Sequence, residues 1–289
     1  MSDTPPENLL LRLTRSLYRG VGRILRAGWN HPLPGLLWTT AIISALFLIF
    51  PGIDLWASGL YHHADLGGFT ARHSDFLQRL RSLGPMFVWL IAIGSGLVIF
   101  LKLVLSERPP LVPLRGPLFL LITLTLGPGL MANGILKAVS GRPRPHNVDL
   151  FGGDLPYVPV WRFTDYCQSN CSFVSGEGSS GAWLVAFALA LPLTWRRPAV
   201  YVTVTIGAMV SLNRVAFGGH FLSDTLIAWC LNGLLILLFY RLFYQRPPAW
   251  LTDKALDTGA TRLGFWLKDS LEDFLSRLRQ EWRTRHKPK

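Results

Sequence analysis

The sequence predicts an all-α fold: a polytopic bundle of six transmembrane helices, with amphipathic helices lying in the membrane interface at both termini. Three observations lead there. Half of the 289 residues are hydrophobic and only 16% are charged, a balance found in membrane proteins rather than soluble domains. Six apolar segments approach the length of about 20 residues with which a helix crosses a bilayer core. The basic residues outside these segments recur on alternate connections, which is the positive-inside pattern.

Residues 9–29 set Leu10, Leu13, Leu17, Val21 and Ile24 at three- and four-residue spacing, with arginines between them. That is the pattern of a basic amphipathic helix on the inner interface. The six apolar segments follow at roughly 35–52, 85–105, 116–136, 178–195, 198–214 and 221–243. The first begins too far in for a cleavable leader and is followed by no Ala-x-Ala-like site, so it reads as a signal anchor. The fourth and fifth are short or polar at one end, as expected where irregular backbone is buried in protein. After the sixth, Leu263, Leu267, Leu271, Phe274, Leu278 and Trp282 repeat the amphipathic spacing; docking on a partner is the alternative use of this tail. The expected organisation is a basic segment over 1–33, a six-span core over 34–243 and a second basic amphipathic segment over 244–289.

The net charge of +12 is mostly a topology signal. Arg12, Arg15, Arg19, Arg23 and Arg26 precede the first span; Lys102, Arg108 and Arg115, then Arg196 and Arg197, occupy inner connections; Arg241, Arg246, Lys254, Lys268, Arg277 and Arg279 follow the sixth. All fall on one side if six spans alternate, so both termini are expected in the cytoplasm, with the basic ends against anionic lipids. No base-reading module accompanies the charge, which excludes nucleic acid as the partner. On the opposite side the cations are few: Arg72, Arg79, Arg81, Lys137, Arg142, Arg144, Arg162 and Arg214. Cations placed where topology disfavours them need another reason, and phosphate binding supplies one. Tyr157, Trp161, Phe163 and Tyr166 in the outer loop read as interface anchors. Cys167 and Cys171 in the same loop are spaced for either a disulfide or two free thiols, and Cys230 falls inside the sixth span.

Three stretches carry chemistry. Lys137 and Arg144 bracket a turn stiffened by Gly141, Pro143 and Pro145; a guanidinium offers a fork matched to two phosphate oxygens, and an ammonium a compact charge. Ser175-Gly176 precedes an apolar run, so the serine reads as a helix cap and the first-turn amides as an anion seat. His220 and Asp224 stand four apart, after Arg214. If the sixth helix begins near His220, the carboxylate holds one ring nitrogen and leaves the other as a nucleophile.

These stretches resemble the type 2 phosphatidic acid phosphatase superfamily, whose signature is Lys-x6-Arg-Pro, Pro-Ser-Gly-His and Ser-Arg-x5-His-x3-Asp. Lys137, Arg144 and Pro145 match the first motif, Ser175 and Gly176 part of the second, and Arg214, His220 and Asp224 the third. The resemblance spans roughly residues 40–243. It implies a lipid phosphatase in which His220 forms a phosphohistidine, Asp224 orients it, and Lys137, Arg144, Ser175, Gly176 and Arg214 hold the phosphoryl oxygens. The chain departs from the signature where Val174 replaces proline and where Glu177 replaces the histidine that protonates the leaving group. Glu177 then serves as the acid only if its pKa rises from about 4.3 towards neutrality. No cofactor or metal is called for, because side chains neutralise the phosphate. The Cys171–Glu177 run resembles superfamily members acting on lipid A, the 4′-phosphate first. This implies a multi-pass protein of the bacterial inner membrane with its site on the periplasmic face. Undecaprenyl pyrophosphate and phosphatidylglycerol phosphate are the alternative substrates; a lipid phosphotransferase and a non-catalytic lipid binder are the alternative functions.

Overall fold

The computed structural model describes residues 32–285, mostly as helix; the helix expected over 9–29 lies outside the described residues. The first span, α1 (Pro32–Ile49), has no polar stripe and exposes Leu37, Trp38, Ile42 and Ile49, as a lipid-facing helix does. A short helix, α2 (Gly52–Gly59), carries Asp54 into the interior, where it is fully buried. A two-stranded antiparallel hairpin, β1 (His62–His63) with β2 (Gly68–Phe69), leads to α3 (Asp75–Val104). The Ser74 side chain caps α3 by accepting from the Leu77 amide. Polar residues Asp75, Gln78, Arg79 and Arg81 form its first two turns, so the helix starts ten residues before the expected span at 85.

The third span, α4 (Arg115–Val139), is wound in wider, π-type turns over Thr125–Leu136. Pro128 has no backbone N–H and its ring clashes with a regular helical turn. Asn133 compensates, donating its side-chain amide to the Pro128 carbonyl at 2.6 Å. After an outer loop come α5 (Gly176–Ala190), α6 (Leu193–Ala216) and α7 (Leu222–Tyr240), the last continued to Gln245 by one wider turn. A long helix, α8 (Asp253–Arg285), ends the described chain.

Among the described residues five helices are long and apolar enough to cross a membrane, where the sequence predicts six spans: α1, α3, α4, α6 and α7 with its extension. The exception is α5, predicted over 178–195. Its 15 residues make a rod of about 22 Å, short of a hydrocarbon core of about 30 Å. Instead α5 is a central post: Trp183, Leu184, Ala186 and Ala188 are buried, and Trp183 donates its indole N–H to Thr123 of α4 at 3.0 Å. Around it Phe119, Ile236 and Phe243 close the main apolar core.

The tail is helical, as the spacing predicted, and is pinned to the bundle by charge. Lys102 is buried with its ammonium 2.7 Å from Asp257, and Arg115 reaches Asp253 at 2.6 Å. Leu263, Trp266, Leu271 and Phe274 remain exposed along α8. The alternation of helices brings the C-termini of α4 and α6 to the same end of the bundle as the N-termini of α5 and α7. All three chemical stretches sit there.

Candidate active site

Lys137, at the last turn of α4, is buried, and its ammonium stands 3.5 Å from the Asn170 side-chain oxygen. Arg144, in the loop that follows, donates to the Asn170 carbonyl at 3.0 Å and to its side-chain oxygen at 2.7 Å. Ser175 caps α5 as the sequence predicted, its hydroxyl accepting from the Gly178 amide at 3.0 Å. Gly176 opens the helix against the site: a Cβ there would lie 2.8 Å from the Lys137 ammonium and 2.7 Å from the Asn133 oxygen and would displace those two side chains. Arg214, at the end of α6, lies against the backbone of Gly219, whose missing side chain makes the space.

His220 is fully buried, and its Nδ1 bonds to the Ser172 backbone carbonyl at 2.7 Å. Asp224 stands 3.9 Å from the same nitrogen, too far for a hydrogen bond. The sequence reading had Asp224 holding the ring directly. The structure differs because α7 begins at Leu222, which leaves His220 outside the helix and removes the one-face geometry of an i, i+4 pair. Asp224 acts instead on the frame of the ring. One carboxylate oxygen accepts from the Ser172 hydroxyl and from the Phe221 amide at 2.8 Å, and the other pairs with Arg142. The Ser172 carbonyl can only accept, so Nδ1 carries the proton and donates it in this hydrogen bond, and Nε2 is the nitrogen turned into the site.

Facing Nε2 is Glu177. One oxygen lies 3.4 Å from Nε2, and the other 3.1 Å from Arg214 Nε and 3.9 Å from Arg81. Burial works against ionisation of Glu177, but the hydrogen bond and charge of His220, then the charges of Arg214 and Lys137, hold its carboxyl well below the usual carboxylate range. Burial likewise pulls the His220 imidazole below its ordinary value, against the opposing pull of Glu177 and Asp224. A neutral His220 lends no charge to Glu177, so the two directions compete. Arg214 and Lys137 favour the carboxylate whatever the state of the ring, and burial favours the neutral imidazole. Both pulls point towards a neutral His220 facing a Glu177 carboxylate seated among the cations.

Beneath this cradle lies a charge network that the motifs did not reveal. Arg142 is buried, bridges Asp54 at 2.8 Å and Asp224, donates to the Ser223 hydroxyl and the Val158 carbonyl, and stacks over Phe221. Asp54 also accepts from the Ser223 amide and hydroxyl. Burial pushes the Asp54 carboxyl up, against the pull of Arg142. Cys167 and Cys171 are joined in a disulfide beside Asn170, which resolves the two readings of their spacing.

Two cavities open on the cradle. One, about 600 Å³, has Lys137, Asn133 and Glu177 at one end and Trp89, Leu124 and Val210 along its walls. The other, about 330 Å³, is lined by arginines. A cationic cradle, a buried histidine presenting one bare nitrogen and an apolar approach are parts that lipid phosphate chemistry needs.

Comparison with known proteins accords with this geometry. Residues 116–248 match the model of the PAP2 superfamily. The chain is 34% identical over 215 residues to a protein of Rhizobium etli named lipid A 4′-phosphatase, covering 67% of this chain and 80% of that one. The chain belongs to the PAP2 superfamily. Two further relatives of the same name, from Rhizobium leguminosarum and Francisella tularensis subsp. novicida, are 33% and 29% identical. They align with 67% and 69% of this chain and with 88% and 90% of their own lengths. No solved structure matches. The superfamily match contains Lys137, Arg144, Ser175, Gly176, Glu177, Arg214, His220 and Asp224, whereas Asp54, Arg72 and Arg81 lie outside it.

Proposed function

We propose that this protein removes the 4′-phosphate of lipid A at the periplasmic face of a bacterial inner membrane, through a phosphohistidine on His220. Membership in the PAP2 superfamily and relatives named lipid A 4′-phosphatase support a lipid phosphatase that hydrolyses phosphomonoesters. The observation that carries the chemistry is the bare Nε2 of His220 in a cradle of Lys137, Arg144, Arg214 and the α5 N-terminus. The lipid character of the substrate rests on the apolar cavity that ends at Lys137. The orientation rests on charge: Lys102, Arg108, Arg115, Arg196, Arg197, Arg241 and Arg246 all sit at helix ends opposite the site, which the positive-inside rule puts in the cytoplasm.

The steps follow from the geometry. A phosphate monoester has its second acidity near pH 6, so the entering monoanion has a proton to give. As its oxygens take over Arg214 and Lys137, Glu177 loses the cations that kept it ionised and accepts that proton. Nε2 of His220 then attacks phosphorus, and the bond from phosphorus to the sugar oxygen breaks. Glu177 returns the proton to the leaving oxygen, which departs as the hydroxyl. Water attacks the phosphohistidine with its proton passing to Glu177; the N–P bond breaks, phosphate leaves carrying that proton away as the monoanion, and Glu177 is again a carboxylate beside a neutral imidazole. Ser172 and Asp224 hold the ring throughout, and Nδ1–H donating to the Ser172 carbonyl stabilises the charge that grows on the ring.

Mass spectrometry of total lipids, including lipid A, from cells with and without the protein tests the assignment. Lipid A lacking its 4′-phosphate is expected only where the protein is present. Unchanged lipid A beside an altered phospholipid or prenyl phosphate would move the substrate.

A further inference from the structure

Next to the cradle, and sharing its outer wall, lies the cavity of about 330 Å³ lined by Arg72, Gln78, Arg81, Arg144, Arg214 and Phe217. Among the described residues, Glu177 is the one carboxylate in ion-pair range of these four arginines, 3.1 Å from Arg214 and 3.9 Å from Arg81. Arg72 and Arg144 have no acidic partner there. The cleft is built rather than incidental: Arg72 Nε donates to the Phe217 carbonyl at 2.8 Å, and Gln78 holds the Arg72 carbonyl at 2.7 Å. Burial, then the charges of Arg144 and Arg81, pull the Arg72 guanidinium below its ordinary value. The cations press on one another, and at ion-pair range Glu177 offsets only Arg214 and Arg81.

The reaction does not account for this charge. Lys137, Arg144 and Arg214, set against Glu177, already balance a phosphate dianion in flight. Arg72 and Arg81 are additional. They come from the connection before α3 and from its second turn, outside the segment matched by the superfamily. Their cost in mutual repulsion needs an anion other than the one being cleaved.

We infer that this cleft is a second anion subsite, which receives a phosphate or carboxylate carried elsewhere on the same lipid headgroup. The inference rests on the lipid-phosphatase reading and adds the substrate class: a lipid whose headgroup bears at least two anionic groups. Arg144 and Arg214 stand between the two positions and touch both, while Arg72 and Arg81 serve the second.

The test uses full-length protein in detergent and two synthetic glycolipids that differ only in a second headgroup phosphate. The wild type is expected to favour the doubly phosphorylated lipid by about tenfold in kcat/KM. Arg81 is half exposed, so its ion pair with the second phosphate is worth about fivefold at most. Arg81→Gln should reduce the preference by about that factor, Arg81→Lys should retain most of it, and added salt should erode it. Arg72→Gln is judged by the same ratio, since Arg72 also holds the backbone near His220. A wild type without preference, or variants that depress both lipids alike, would overturn the subsite. If Arg81→Gln weakens competitive inhibition by inorganic phosphate yet leaves the ratio intact, the cleft serves the departing product and the inference fails. A wild type inactive on both lipids would defeat the phosphatase reading instead. Binding of the two lipids to the His220→Ala protein then decides the subsite, which requires tighter binding of the doubly phosphorylated lipid and loss of that difference on adding Arg81→Gln.

Discussion

Glu177→Gln separates two effects that the structure puts on one side chain. Glu177 faces Nε2 at 3.4 Å and Arg214 at 3.1 Å, so it occupies the seat that a phosphate must take. An ionised carboxylate about 5 Å from phosphorus opposes each unit of phosphate charge by roughly 3 kcal/mol at an effective dielectric of about 20. Substrate therefore binds by protonating or displacing it. Gln removes that penalty, and KM should fall. Gln also cannot donate the proton that an alkoxide needs on leaving, a function worth typically about 10²–10⁴-fold. On a sugar phosphomonoester kcat should fall within that range; on a pyrophosphate, whose leaving phosphate needs no proton, it should fall much less. The pH dependence has a definite sign. The carboxyl of the free protein is held low, so the acid form exists only in the complex, and kcat on the monoester should decline as pH rises through the pKa of the complex. Glu177→His should keep partial activity with that limb displaced. Steady-state release of phosphate from the two substrates across a pH series reads every term. Unchanged kcat on the monoester with Gln would refute Glu177 as the acid; a raised KM would refute its place in the phosphate seat.

Other outcomes follow from the same geometry. His220→Ala should abolish phosphate release while the protein remains folded and inserted, as monitored by size-exclusion chromatography in detergent. Asp224→Asn should cost less in turnover, because the Ser172 carbonyl still holds Nδ1. Arg142→Leu leaves Asp54 and Asp224 buried without their shared cation, and a broken buried pair costs about 3–5 kcal/mol; a clear drop in thermal midpoint is expected, and an unchanged midpoint would contradict the network's role. Orthovanadate should inhibit competitively by adopting the trigonal-bipyramidal shape in the cradle, and chelators should leave activity intact; loss of activity on chelation, restored by a divalent ion, would contradict neutralisation by side chains alone.

Much of the site was legible because its residues sit at helix ends. Apolar segment length sets the alternation, and alternation brings Lys137, Ser175, Arg214 and His220 to one end without further information. The short α5 was not legible as such, since a buried central post and a lipid-exposed span are equally apolar. The route from Asp224 to His220 through Ser172 depends on α7 starting two residues later than the histidine, a detail of capping that spacing does not fix. Asp54 and Arg142 were missed as a pair because no periodicity links residues 88 apart. A signal did exist: Asp54 is the lone charged residue between positions 32 and 64, and a charge isolated in an apolar stretch near a membrane is by default functional or paired. Arg142 carries a cation on the outer face, yet Arg144, two residues on, is the one whose spacing from Lys137 fits the motif.

The central claim is that His220 takes the phosphoryl group. Purified protein mixed with lipid A labelled in its 4′-phosphate and quenched within the first turnovers, at alkaline pH where phosphohistidine survives, tests it directly. Peptide mass spectrometry is expected to find the label on His220, absent in His220→Ala and accumulating in a variant slowed in the water step. Turnover with no labelled His220 at any quench time, or label on another side chain, would contradict the account.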